Sequence, residues 1–189
     1  MRAIAANEPI WRAGLAVHLL YLLLTVPVGV ILYELLKPVE PTLAKLALAF
    51  TLMCSTVEAA SLVQIALPLV IMGNAPALAG FGPAQLDALG YLAVRLFGTG
   101  FSFGILLFSG FCFVNGWLIL RSRLIARPVG VLMMIAGVGY FLDSVLRILA
   151  PQLAGMLFPW LLLPGLVGEL SLALFLTIRG VRAAEAVSR

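Results

Sequence analysis

Between Asn115 and Tyr140 the chain reads NGWLILRSRLIARPVGVLMMIAGVGY. One apolar segment closes at Trp117–Leu120, and Arg121, Arg123 and Arg127 follow within a seven-residue turn. Pro128 then opens a second apolar segment. Inside hydrocarbon a chain must satisfy its own backbone, and a helix does so within a single segment. This stretch therefore predicts two membrane helices joined by a basic hairpin. Arginine and lysine are retained on the cytoplasmic side of a bilayer, so the hairpin is also the orientation signal for the whole chain.

The remaining sequence agrees with lipid as the solvent. The chain is 63% hydrophobic and 11% charged, with a mean hydropathy of +1.15. Soluble domains average roughly 45–50% apolar and about 25% charged, so this excess exceeds what a water-soluble core can hide. The net charge of +4 does not point to nucleic acid. Its basic residues fall in the turns between apolar runs, where membrane orientation places them. Cys54 and Cys112 lie inside apolar segments without a CxxC spacing and read as small hydrophobic residues. Residues 1–12 lack the short apolar core and cleavage site of a secretory signal.

Taken in order, the sequence predicts an all-α polytopic bundle of five spans in one integral membrane domain. They are Ala13–Leu36, Leu43–Met72, Tyr91–Leu120, Pro128–Leu149 and Pro159–Arg179. Met1–Arg12 is a polar lead with Trp11 as an interfacial anchor. Lys37–Lys45 is a charged turn, Gly73–Pro83 a glycine- and proline-rich loop, and Ala150–Phe158 a short turn around Pro151. From Gln85 to Leu120 the apolar pattern does not break, which predicts one long helix whose first third is more polar. Five spans gather Lys37, Lys45, Arg121, Arg123, Arg127, Arg179, Arg182 and Arg189 on one side. That side is the cytoplasm of a bacterial inner membrane, with the N-terminus outside.

The segment GWLILRSRLIARPVGVLMMIAGVGYFLDS resembles a glycine-punctuated hairpin of a bacterial multi-pass family, domain of unknown function 4386. The stretch VILYELLKPVEPTLAKLALAF resembles another turn of that family. The likeness extends from about Trp11 to Pro151 and implies a membrane bundle, with no activity or catalytic residue attached. Members of the family typically carry a further first span, so the resemblance implies a shortened start or a lineage-specific loss here.

A charge at mid-bilayer costs about 2.5–3.5 kcal/mol on insertion scales, so each ionisable residue within a span needs a reason. The candidates are His18, Glu58, Arg95, Asp143, Arg147 and Glu169, which together form a predicted intramembrane polar cluster. Thr51, Ser55, Glu58 and Ser61 recur at helical spacing on the second span, and Asp87, Tyr91, Arg95, Thr99 and Ser102 on the third. Both stripes are expected to face the bundle interior. Asp143 and Arg147 form an i, i+4 pair with the acid N-terminal to the base. Glu58 and Glu169 have no opposite charge within a turn of their own helices. Glycines at 100, 104, 130, 137, 139, 165 and 168 allow close helix approach. Two readings stand side by side. The cluster either fixes helix register by mutual satisfaction, or it forms a site for a small molecule, ion or proton.

One histidine excludes a bis-histidine haem or a multi-histidine metal centre built by this chain alone. No phosphate-binding loop, dinucleotide motif, serine-protease constellation or internal repeat is present. No catalytic set, metal site or cofactor is therefore expected. Three functional classes remain open. The first is a non-enzymatic bundle acting as a partner subunit or small-ligand binder. The second is a small-molecule or proton-coupled carrier using Glu58, Glu169 and Arg95 in an outward-facing pocket. The third is an enzyme acting on lipid through the same carboxylates. The expected partners are the bilayer and either another membrane protein or a second copy of the chain.

Overall fold

Proline sets where the helices begin. A proline lacks the amide that the first helical turn leaves unpaired, and its fixed φ suits that turn. The computed structural model describes residues 2–73, 76 and 78–179. Among them the elements are helices α1 (Arg2–Ala6), α2 (Glu8–Leu36), α3 (Pro41–Gly73), α4 (Pro83–Ser122), α5 (Arg127–Leu149), α6 (Pro151–Leu157) and α7 (Leu163–Arg179). Pro9, Pro41, Pro83, Pro128, Pro151 and Pro164 each occupy the first or second position of their helix. Arg182 and Arg189, part of the expected cytoplasmic tail, lie outside the described residues.

Four helices, α2 to α5, are long and apolar enough to cross a membrane. At 1.5 Å per residue, the 40 residues of α4 extend about 60 Å, twice the ~30 Å hydrocarbon core. The 17 described residues of α7 extend about 25 Å and fall short of that thickness. The chain is thus a membrane-embedded helical bundle with four helices able to span the bilayer and a shorter fifth apolar helix.

Two stretches expected to be irregular are helical. The lead before Ala13 contains α1 and the first turn of α2, and the turn around Pro151 is the seven-residue α6. In both places a proline stands at a helix start, Pro9 in α2 and Pro151 in α6. Trp11, expected as an interfacial anchor, donates from Nε1 to the Ile65 carbonyl of α3 at 3.0 Å. That contact lies one turn before Pro68, which sits inside α3 and supplies no amide to the turn before it.

Each long helix packs chiefly on its chain neighbours: α2 on α3, α3 on α4, α4 on α5 and α5 on α7. The core runs through Leu32 and Leu36 of α2, Phe111, Leu118 and Ile119 of α4, and Val129, Met133 and Tyr140 of α5. Helix α2 buries only Leu22, Gly29, Leu32 and Leu36, a narrow stripe against α3. Its other faces are exposed and apolar.

At the Lys37 end, the Glu40 carboxylate accepts from the amides of Leu43 and Thr42 and so caps α3. The Leu43 amide, above all, holds its carboxyl below the usual carboxylate range, and Arg121 adds to the effect. The turn before α3 and the arginine hairpin after α4 therefore share one end of the bundle. A depressed native pKa stabilises above the ordinary carboxyl range, and the contribution is lost as pH falls through the native value. Glu40→Ala is expected to melt below wild type at neutral pH. Melting curves taken between about pH 7 and about pH 3 should show that gap closing.

Candidate functional site

The polar stripe of α3 points inward. Thr51, Ser55, Glu58 and Ser61 are all buried, and Glu58 is only 2% exposed. Its side chain fits because α4 presents Gly104 opposite it. A Cβ at that position would stand 3.0 Å from Glu58 Cγ. Oε2 of Glu58 is buried without a hydrogen-bond partner among the described residues.

Glu58 lines an open cavity of about 460 Å³ bordered by α2, α3, α4, α5 and α7. Around the same space stand His18 and Tyr21 of α2, Cys54 of α3, Tyr140 of α5 and Glu169 of α7. Glu169 is held by Tyr140, whose hydroxyl donates to Oε1. Gly165, one turn before Glu169, leaves the room that the Tyr140 ring occupies. His18 lies edge-on to Tyr21, Phe97 and Phe101, with ring centroids 5.7, 6.0 and 6.4 Å away, and its Nε2 is buried and unpartnered.

A second cavity of about 620 Å³ opens on the other side of Tyr140 and Glu169, and Ser102, Asp143 and Arg147 line it. Arg147 Nε donates to Asp143 Oδ2 at 2.7 Å, and its guanidinium lies over the Phe158 ring at 5.5 Å. Five of the six residues expected to form the polar cluster thus border two adjoining cavities.

Arg95 is not among them. It is exposed, as are Asp87, Tyr91 and Thr99, and only Ser102 at the end of that stripe is buried. The reason lies in the opposite face of α4. Gly90, Ala93 and Gly104 are buried, so the helix is seated on its small residues. Arg95 is two positions beyond Ala93, about 200° around the helix, and so points outward. The polar periodicity was real, but the small-residue face decided the packing.

Three contributors carried no sequence signal strong enough to single out: Tyr21, Cys54 and Tyr140. Tyr140 had the clearest hint. A tyrosine hydroxyl within an apolar segment needs a partner, and Tyr140 stands one turn before Asp143 and Ser144 on the same face. Among the described residues, no three His, Cys, Asp or Glu side chains converge as metal ligands. Chemically, the site offers two carboxyl groups, an imidazole, a thiol, two tyrosine hydroxyls and a set of aromatic rings in an apolar frame.

The model of the family described as domain of unknown function (DUF4386) matches residues 1–180. The chain belongs to that family. No curated protein and no solved structure matches it. The match spans α1 to α7, so every residue bordering the two cavities falls within the DUF4386 region.

Proposed function

We propose that this DUF4386 protein is a non-enzymatic bundle that binds a small ligand within the membrane, at the cavity shared by His18, Glu58 and Glu169. The supporting observation is Glu58, an acid almost wholly buried whose Oε2 has no partner and which lines open space. A buried polar atom without a partner costs about 1–3 kcal/mol and calls for an explanation. A ligand group that meets it would supply one.

A carrier is the second reading. Glu169 and Tyr140 border both the 460 Å³ and the 620 Å³ cavities, so a solute moving between them would pass the same carboxylate. Arg95 has no part in that route. The protein is assigned to the bacterial inner membrane, with its N-terminus outside. Lys37, Lys45, Arg121, Arg123 and Arg127 cluster at the end that would face the cytoplasm.

The test is the thermal stability of Glu58→Gln in detergent. The amide preserves shape and breaks no ion pair. The variant is expected to melt at or above wild type, with a gain up to about 2 kcal/mol, as happens where a functional group is retained against stability. A clear drop in melting temperature would show the acid to be a structural element and would end this reading. Proteoliposome flux that disappears in Glu58→Gln would favour the carrier.

A further inference from the structure

Beside the carboxylate cavity runs a groove of about 530 Å³ that no helix among the described residues fills. Its two walls are helical stripes. On α2, Val17, Tyr21, Leu24, Val28 and Leu32 follow one another at i+3 and i+4, and on α7 so do Glu169, Leu172 and Leu176. Its floor is Thr51, Phe108, Phe111 and Met133. From Val17 to Leu32 is 15 residues of helix, about 22 Å, longer than the ~15 Å hydrocarbon depth of a single leaflet. Val17, Tyr21, Phe108 and Glu169 border both spaces, so the groove opens into the cavity beneath Glu58.

The two spaces differ in chemistry. The groove is lined mostly by aliphatic and aromatic side chains, with Thr25, Thr51 and Glu169 as its polar exceptions. The cavity carries Glu58 and Glu169, and neither space is lined by a lysine or an arginine. Ion pairs join Glu8 to Arg12, Glu34 to Lys37, and Asp143 to Arg147, and none of these involves Glu58 or Glu169. Around the cavity stand the rings of Tyr21, Phe101, Phe108 and Tyr140, whose faces attract cations.

We propose that the ligand is a single-chain lipophilic amine, its ammonium beside Glu58 and Glu169 and its alkyl chain along the groove between α2 and α7. This rests on the ligand-binding reading above and adds the class of ligand. An anion meets two carboxyl groups and neither lysine nor arginine, and the His18 imidazole is packed edge-on among Tyr21, Phe97 and Phe101. An uncharged alcohol leaves the acids without the counter-charge that the geometry accommodates. A phosphatidylethanolamine headgroup brings a phosphate beside its ammonium, and neither space has a lysine or arginine to receive it. The amine alone fits both ends.

The experiment uses the full chain in phosphatidylcholine nanodiscs, titrated by calorimetry against empty discs. The probes are dodecylamine, dodecanol and dodecanoate. Dodecylamine is expected to bind saturably, at least tenfold tighter than the other two. Glu58→Gln is expected to weaken it tenfold or more. Ala173→Phe, at an exposed position on the groove wall, is expected to do the same by blocking the tail. Equal, Glu58-dependent binding of dodecanol would overturn the amine assignment and leave the ligand site standing. Tight binding unaffected by Ala173→Phe would overturn the placement of the tail. Displacement of dodecylamine by phosphatidylethanolamine added to the discs would identify a two-chain lipid as the occupant. The absence of saturable binding by any of the probes would overturn both the amine and the ligand site.

Discussion

Arg147→Met is expected to lower stability in detergent by about 3–5 kcal/mol, and Asp143→Asn by much less. The asymmetry follows from where the two charges sit. Asp143 is 3% exposed, with Oδ2 on Arg147 and Oδ1 buried without a partner. The Arg147 side chain is 38% exposed and also rests on Phe158. Removing the base strands a carboxylate in an apolar interior, the costly case for a broken buried pair. Neutralising the acid leaves an arginine that can extend its head toward polar surroundings while its stem stays packed. The double variant Asp143→Asn/Arg147→Met should recover most of the loss. Thermal melts of all three variants check this. Equal losses in the two single variants would show that the burial of Asp143 does not set the cost.

The second large effect is expected where α4 and α5 touch. A Cβ on Gly116 would stand 2.7 Å from the Gly130 carbonyl oxygen and 2.9 Å from the Met134 amide nitrogen; one on Gly130 would stand 2.8 Å from the Gly116 carbonyl oxygen. These are backbone atoms of the opposing helix, so a side chain cannot be admitted by turning a rotamer. The helices must separate along a face that also holds Leu118, Ile119, Val129 and Met133. Helix association in lipid relies on this close van der Waals fit. Gly116→Leu is expected to cost at least the 1–3 kcal/mol typical of overpacking, and Gly130→Leu about the same. Gly98→Leu, with nothing within 4 Å of the added Cβ, should be near neutral. Melting temperatures of the three variants read this directly, and a Gly116→Leu protein as stable as Gly98→Leu would contradict it.

The extent of the long helices was legible in the sequence because two local rules set it: apolar length and the position of proline. The uninterrupted pattern from Gln85 to Leu120 appears within α4, and the arginine hairpin closes at Arg123 with a positive φ of 53°. The burial of Glu58 and Asp143 was also legible, since a lone acid in an apolar run has few other places to go. The outward direction of Arg95 was not. Its stripe and the small-residue face of α4 are both helical periodicities, and a sequence alone does not rank them. The bond from Tyr140 to Glu169 joins positions 29 residues apart across two helices. No spacing rule within one element reaches that far. The lead was read from its polarity, and the stretch around Pro151 as a turn, where in the structure a proline starts a helix.

The order in which the helices touch has a consequence for assembly. Each long helix finds its main partner in the segment just before or just after it, and α2 and α7, at the two ends of this series, leave the groove open between them. A bundle built of such near-neighbour contacts has a low contact order, so little loop-closure entropy opposes its formation. Each span can dock on its predecessor soon after it enters the bilayer. The Glu58 pocket is the exception. Its last wall, Glu169, comes from α7, so the site is completed only after that helix has joined the bundle.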